Sequence, residues 1–325
     1  MRYLLHKMGF YVLAGFISII FNFFIPRLMP GDPIGTMFAR FRGKLSPEAM
    51  ESLQASLGFT QGTWWDQFYL YIAQLFQGDL GLSVAYYPIP VSTVIASGLG
   101  WTLWLAGTAV LISFTLGTML GVILAWKQNG ILDSIIPPLL AFLGAFPYFW
   151  LAMLLLWGFG FGLGWFPLRH AYGDDLEPEW SWLFISDMIR HVTLPAVSIV
   201  LATLGGWMLS MRNTMMSVLG QDYIHLARAK GIVPKRIMWA YAARNALLPN
   251  MTGFGMALGF VVSGSLLTEI VFSYPGQGYL LVQAVRTQDY PLMQGIFLMI
   301  TLAILCANFL VDLLYVVLDP RTRRA

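Results

Sequence analysis

Long apolar runs separated by short polar stretches set the pattern of this chain. A membrane span needs roughly 20 mostly apolar residues. Six stretches meet that need, at about 8–28, 99–126, 131–160, 192–212, 250–272 and 292–318. The third holds Pro137, Pro138 and Pro147. Proline deletes a helical hydrogen bond, so a kink or a break is expected there. Two polar segments are long. Residues 30–98 mix polar and aromatic positions and contain an amphipathic helix candidate over Ser46–Leu57, with Ser46 as N-cap and Pro47 at the first helical position. Residues 161–191 carry Asp174, Asp175, Glu177, Glu179 and Asp187 against Arg169 and Arg190. These acids read as a solvated loop ahead of a cation site. The pattern predicts an all-α integral membrane protein of six transmembrane helices in two parts. One is an N-terminal helix with its outer segment (1–98), and the other is a five-helix core (99–325) carrying a polar loop over 213–249.

Composition agrees with that pattern. The 325 residues are 58% hydrophobic and 11% charged, with mean hydropathy +0.68. Soluble domains carry about a quarter of their residues as charged ones, so a water-soluble globule is excluded. The 12 Trp and 14 Tyr suit a protein with two membrane–water interfaces. A single cysteine, Cys306, stands in an apolar run, which excludes a disulfide framework and reads as a small core residue. Arg2 and Lys7 precede Met8–Ile25 in the manner of a signal peptide. That run is longer than a usual h-region and is followed by Pro26-Arg27-Leu28-Met29-Pro30, with no small-residue cleavage site, so a retained first helix is expected.

Charge orients the six spans. With the N-terminus inside, the inner segments hold Arg2, Lys7, Lys127, Arg212, Arg228, Lys230, Lys235, Arg236, Arg244, Arg321, Arg323 and Arg324, against Asp133, Asp222, Asp312 and Asp319. The net charge of +3 then divides into +8 inside and −5 outside. An excess of Lys and Arg marks the cytoplasmic side, so both termini are expected there.

The most informative stretch is Gly220–Pro249. Asp222 is a suitable N-cap, Tyr223–Lys230 reads as a short helix, and Gly231 as its left-handed stop. Pro234 begins a second helix expected to run to about Leu248 before Pro249. A helix of two turns is too short to be stable alone. Tyr223, Ile224, Leu226 and Ala227 offer it a packing surface. On these grounds alone, an ordinary positive-inside hairpin and a docking protrusion remain open.

The order of motifs is more specific. Ala227-Arg228-Ala229-Lys230-Gly231 followed by Ala243-Arg244-Asn245-Ala246-Leu247-Leu248-Pro249 resembles the signature loop of ABC importer permeases, in particular those of the dipeptide/oligopeptide/nickel family. That family also includes oligosaccharide-transporting members. Pro30-Gly31-Asp32-Pro33, the segment from Glu269 through Phe272 to Pro275-Gly276-Gln277-Gly278, Gln288-Asp289-Tyr290-Pro291 and Leu318-Asp319-Pro320-Arg321 resemble further family motifs in the same order. The chain departs at Ala243, where Leu is usual, at Tyr241, near a common His, and at His225, in the position of a glutamate.

The resemblance implies a type I importer-like fold. It implies a coupling helix that docks on a nucleotide-binding subunit, with Asp222, Tyr223, Ala227, Arg228, Ala229, Lys230, Gly231, Arg244, Asn245 and Pro249 in the coupling loop. It also implies a second homologous permease, two ATPase subunits that bind ATP and Mg, an extracytoplasmic substrate-binding protein, and a place in a prokaryotic inner membrane. No nucleic acid is implied.

The chain itself has no Walker A loop, since its one Gly-Lys pair, Gly43-Lys44, is followed by Leu45. No HExxH or GxSxG is present, and the four His residues have no ligand spacing. No cofactor or metal site is expected, and no enzymatic activity. The competing class is an ion-gradient-driven carrier of a small polar solute, which usually needs carboxylates inside its spans. Here the span centres are nearly free of charge. Phe146, Tyr148 and Trp150 beside Pro147, with Trp207 and Met208, are candidates for lining a path, and lipid-facing positions are the alternative. Such rings favour sugar cargo by stacking, whereas the family implies peptides as well. Gly117 and Gly121, with Gly253, Gly255, Gly259 and Gly264, permit close helix approach.

Overall fold

A computed structural model describes residues 2–30, 63–262 and 265–318 of the chain. Gly31, Asp32, Pro33, the Ser46–Leu57 candidate, Gly264 and the tail from Asp319 onward, including Arg321, Arg323 and Arg324, lie outside the described residues. Among the described residues the elements are α1 (Arg2–Arg27), α2 (Trp64–Phe76), α3 (Val91–Thr102), α4 (Thr108–Trp126), α5 (Ile131–Gly144), α6 (Tyr148–Leu155), α7 (Trp182–Leu219), α8 (Asp222–Ala229), α9 (Pro234–Arg236), α10 (Arg244–Val261), α11 (Leu266–Val271), α12 (Gln277–Arg286) and α13 (Tyr290–Leu318). Three π-helical stretches, Leu103–Gly107, Leu156–Gly162 and Ile237–Ala243, continue α3, α6 and α9. The described residues contain no strand, only an isolated bridge between Leu82 and Pro90.

Among the described residues four helices are long and apolar enough to cross a membrane: Lys7–Arg27, Val91–Trp126, Trp182–Leu219 and Tyr290–Leu310. A fifth candidate is the pair Ile131–Gly144 and Tyr148–Gly162, bent by 95° at its break. The expected interruption therefore falls at Pro147, while Pro137 and Pro138 ride inside α5. The fourth expected span grows at both ends. Ser181 caps α7 by accepting from the Phe184 amide at 3.2 Å, so Asp187, Arg190 and His191, which read as loop, become helix. At 1.5 Å per residue its 38 residues extend about 57 Å, well beyond a hydrocarbon core of about 30 Å. The span expected at 250–272 is divided between α10 and the six-residue α11. Arg244, Asn245, Asn250 and three glycines keep α10 from being as apolar as the other spans. Cys306 is exposed on α13, so the small-core assignment for it is corrected.

The chain divides into two compact units. One contains residues 1–102, 262–266 and 275–325, and the other 103–261 and 267–274. In the first, Phe68 and Tyr71 of α2 pack on Phe23 of α1, with ring centroids 5.1 and 5.6 Å apart. A reciprocal capping box between Thr63 and Asp66 starts α2, and the Thr63 bonds hold the Asp66 carboxyl below the usual carboxylate range. Asp289 organises the start of α13. One carboxylate oxygen caps the Leu292 amide at 3.1 Å, and the other accepts from Ser83 Oγ at 2.5 Å and the Ala85 amide at 2.8 Å. Toward the far end of α13, Asp312 pairs with Lys7 at 2.9 Å and accepts from the Tyr11 hydroxyl at 2.6 Å, which ties α1 to α13.

The second unit is built on the α4–α7 seam. A Cβ at Gly117 would lie 2.7 Å from Trp207 Cβ and 2.9 Å from the Leu204 carbonyl oxygen. One at Gly121 would lie 2.6 Å from the Met208 carbonyl oxygen. The two backbones are thus in direct contact, as the small residues predict. Gly205 lets α5 approach the other side of α7, where a Cβ would lie 2.7 Å from the Leu140 carbonyl oxygen.

Candidate functional site: the loop between α7 and α10

The loop grows from three local decisions. Gly220 ends α7, Gln221 takes the N-cap position of α8, and Asp222 is the first helical residue instead of the cap. Its carboxylate there still favours the positive end of the helix dipole. At the other end, Gly231 adopts φ +70°, the left-handed conformation expected from sequence. The Ile232 amide donates to the Ala227 carbonyl at 3.2 Å and the Gly231 amide to the Arg228 carbonyl at 2.9 Å. These are the two bonds of a Schellman stop, and they close the helix after Ala229.

The two faces of α8 differ in environment. Ile224 and Ala227 are buried at 0% and 3% exposure in one apolar cluster with Met211, Met215, Ile237, Ala242, Ala243 and Ala246. Ile232, the residue after the stop, packs on the same cluster. Tyr223 and Leu226, expected to share that packing surface, instead face outward at 39% and 55% exposure, with His225, Arg228, Ala229 and Lys230. The 3.6-residue period explains the split. Ile224 and Ala227 are three apart on one stripe, and Tyr223 and Leu226 are three apart on the next. Arg228 places its guanidinium carbon 6.0 Å from the Trp126 ring centroid, at the edge of cation–π range. Asn245 Nδ2 donates to the Tyr223 hydroxyl and to the Tyr241 carbonyl, each at 2.9 Å, and so joins α8 to α10.

The second helix of the loop does not stop before Pro249. It passes from α9 through the π stretch into α10, and Pro249 lies inside it. The next residue, Asn250, is 1% exposed. It accepts from Ser210 Oγ at 2.6 Å and donates to Thr118 Oγ1 and the Trp207 carbonyl, both at 3.3 Å, linking α4, α7 and α10. A carboxamide within an apolar run is the sequence signal for such a link, and Asn250 was not singled out from the sequence. A second polar tie holds α5 to α7, where Arg212 Nε and Nη2 donate to the two Asp133 carboxylate oxygens at 2.6 and 2.9 Å.

The other sequence candidates lie apart from this loop. Met208 is 0% exposed among Leu124, Leu140 and Leu204 and belongs to the helix-packing core, which corrects its place among the path candidates. Trp207 is half-buried, edge-on to Phe114 at 5.4 Å and beside Gly253. Phe146 and Tyr148 are half-buried at the 95° break, and Trp150 is 51% exposed. Glu269 is buried in α11, with its carbonyl accepting from the Tyr274 amide at 2.8 Å. Pro275 precedes Gly276, which sits at the N-cap of α12. Among the described residues no three His, Cys, Asp or Glu side chains gather in a way that could hold a metal ion.

Residues 117–324 match the family described as the inner membrane component of binding-protein-dependent transport systems. The chain is 33% identical over 337 residues to the di/tripeptide transport system permease protein DppB of Pseudomonas aeruginosa (strain UCBPP-PA14). It is 34% identical over 340 residues to the dipeptide transport system permease protein DppB of Escherichia coli (strain K12). In both cases the match spans 99% of each chain. The chain therefore belongs to the inner membrane components of binding-protein-dependent transport systems, as an ABC importer permease of the dipeptide/oligopeptide family.

Proposed function

We propose that this chain is a six-span permease subunit that forms half of the translocation path of an ATP-driven peptide importer, and that α8 is the element through which ATP hydrolysis moves it. The observation that carries the proposal is the division of α8. Ile224 and Ala227 anchor the helix to the membrane unit, and Tyr223 and Leu226 leave an apolar face open beside two cations. A two-turn helix with one face fixed and one unfilled is shaped to be gripped by another protein. Asp222 and the Gly231 stop set its ends, and Asn245 ties it to α10.

Peptide cargo follows from the names of the two relatives, and no observation on the chain favours oligosaccharide over it. In this reading α10 with α11 supplies the sixth span. The excess of Lys and Arg favours both termini and α8 on the cytoplasmic side of a prokaryotic plasma membrane. ATP and Mg are held by two separate nucleotide-binding subunits, a second homologous permease completes the path, and an extracytoplasmic binding protein delivers the peptide. Phe146, Tyr148, Trp150 and Trp207 remain the candidates for lining the path.

The test is Gly231→Val in the assembled importer, reconstituted with its ATPase subunits and loaded binding protein. A β-branched residue is strained at φ +70°, so the Schellman stop should open. The expected outcome is loss of the rise in ATP hydrolysis caused by loaded binding protein, with uptake lost in parallel. Full stimulation of hydrolysis and full uptake in that variant would overturn the assignment. Uptake that persists without ATP and collapses with the ion gradient would point to the carrier class instead.

A further inference from the structure

We infer that the outer face of the helix running from α9 through the π stretch into α10 is a binding surface for anionic phospholipid headgroups of the inner leaflet, formed by Lys235, Arg236, Trp239 and Arg244. The inference goes beyond the docking role of α8 and rests on the orientation proposed above.

The face is produced by the π stretch. A π-helical turn takes in close to one residue more than an α turn. Over the seven residues Ile237–Ala243 the helix phase therefore lags by about a third of a turn relative to an α-helix. In an unbroken α-helix Arg244 would lie on the side of Ile237, and Ala243 on the side of Lys235 and Trp239. The lag reverses this. Ile237, Ala242 and Ala243 are buried in the cluster that holds Ile224 and Ala227, while Lys235, Arg236, Trp239, Ala240 and Arg244 are all exposed. Three cations and one indole are thus gathered on the face turned away from α8.

Charge and chemistry then select the occupant. No acidic residue lies between Gly231 and Thr268, and no ion pair engages these three cations among the described residues. Trp239 is 38% exposed between them, and an indole with one apolar face and one N–H donor favours the membrane–water boundary. The face leads directly into α10, which with α11 supplies the sixth span in the reading above and would bring the face to headgroup depth. An arginine fork and a lysine beside it match phosphate oxygens, and each cation near an anionic surface strengthens binding about fivefold. An acidic protein surface would satisfy the cations and the indole equally well, and the continuity of this face with α10 is what favours the lipid.

The experiment uses the full chain in nanodiscs of phosphatidylcholine alone or mixed with phosphatidylglycerol, read by amide hydrogen exchange over residues 233–244. Both leaflets carry the anionic lipid and no ATPase subunit is present, so failure of the orientation or of the docking role of α8 leaves the result unaffected. The expected result is exchange slowed roughly tenfold by phosphatidylglycerol in the wild type, with the difference lost in molar salt. In K235Q/R236Q/R244Q the lipid dependence should vanish while exchange along Gly117–Gly121 stays slow, which reports an intact fold. If the triple variant does not fold, the salt dependence of the wild type carries the test alone. Equal exchange in the two lipids, or slowing that requires added ATPase subunits, overturns the proposal, the latter by assigning the face to a protein partner.

Discussion

The α4–α7 seam and the α8 loop belong to the same compact unit and both depend on small residues, yet they use them in opposite ways. At Gly117 and Gly121 the missing Cβ brings two long helices into backbone contact, with nothing flexible between them to give. At Gly231 the missing Cβ admits a left-handed turn that ends a helix after two turns and frees the chain to change direction. One glycine pair makes a rigid body, and the other glycine makes a protrusion on it. The protrusion is held by two buried side chains and one polar strut. In the proposed coupling role a force applied to this handle would be delivered to two helices in direct backbone contact, an arrangement suited to moving helices by an external motor.

Breaking the seam should have the largest effect. In Gly121→Leu the new Cβ falls 2.6 Å from the Met208 carbonyl oxygen and 2.7 Å from Met211 Cβ, so α4 and α7 must separate along their length. Overpacking against movable side chains costs about 1–3 kcal/mol. Against backbone the loss should be at or above about 3 kcal/mol, visible as a large drop in the thermal midpoint of the detergent-solubilised chain. An unchanged midpoint would show that the seam yields, and the contrast with α8 would lose its basis.

Loosening the handle should be milder and local. Ile224→Ala removes the one large side chain that α8 buries, and such truncations cost about 2–5 kcal/mol in packed cores. The lower end applies here, because a short surface helix can settle into the gap. Exchange should quicken over 222–232 and remain slow over 113–125 and 204–215. Quickening of both regions together would mean that α8 and the seam form one cooperative unit instead of body and handle.

How much of this contrast the sequence displayed depends on the range of the interactions involved. Gly231 was legible because a left-handed stop is set by neighbouring residues, and Gly117 and Gly121 because their spacing places them on one helix face. An interruption in the stretch holding Pro137, Pro138 and Pro147 was legible for the same local reason, but not which proline would break the helix. The split of α8 was not, since Tyr223, Ile224, Leu226 and Ala227 are all apolar and only the packing of Met211, Met215 and Ala246 decides which pair is covered. The π stretch was invisible because Ile237–Ala243 has ordinary helix composition. Continuation of the helix past Pro249 was missed because proline only weakens a helix, and packing on α4 and α7 overrides it. The role of Asn250 was missed because its partners, Ser210, Thr118 and the Trp207 carbonyl, come from two other helices.

The smallest expected effect concerns the strut. Tyr223→Phe removes the hydroxyl that accepts from Asn245 Nδ2, while the bond from Asn245 to the Tyr241 carbonyl survives. Both residues are exposed, so water takes the vacated position and the net cost should be about 0.5–1 kcal/mol. Stability is therefore an insensitive readout, and uptake per ATP hydrolysed in the assembled importer is the sensitive one. If the strut carries motion from α8 to α10, Tyr223→Phe and Asn245→Ala should each lower that ratio, and the double variant should lower it no further than either alone. A double-mutant cycle gives the answer directly, because the side chains share one bond and a working strut makes their effects non-additive. Additive losses would mean that the two residues act separately and that Ile224 and Ala227 alone transmit the motion. In that case the handle is held by apolar packing only, and its orientation on the rigid body is set by the Schellman stop.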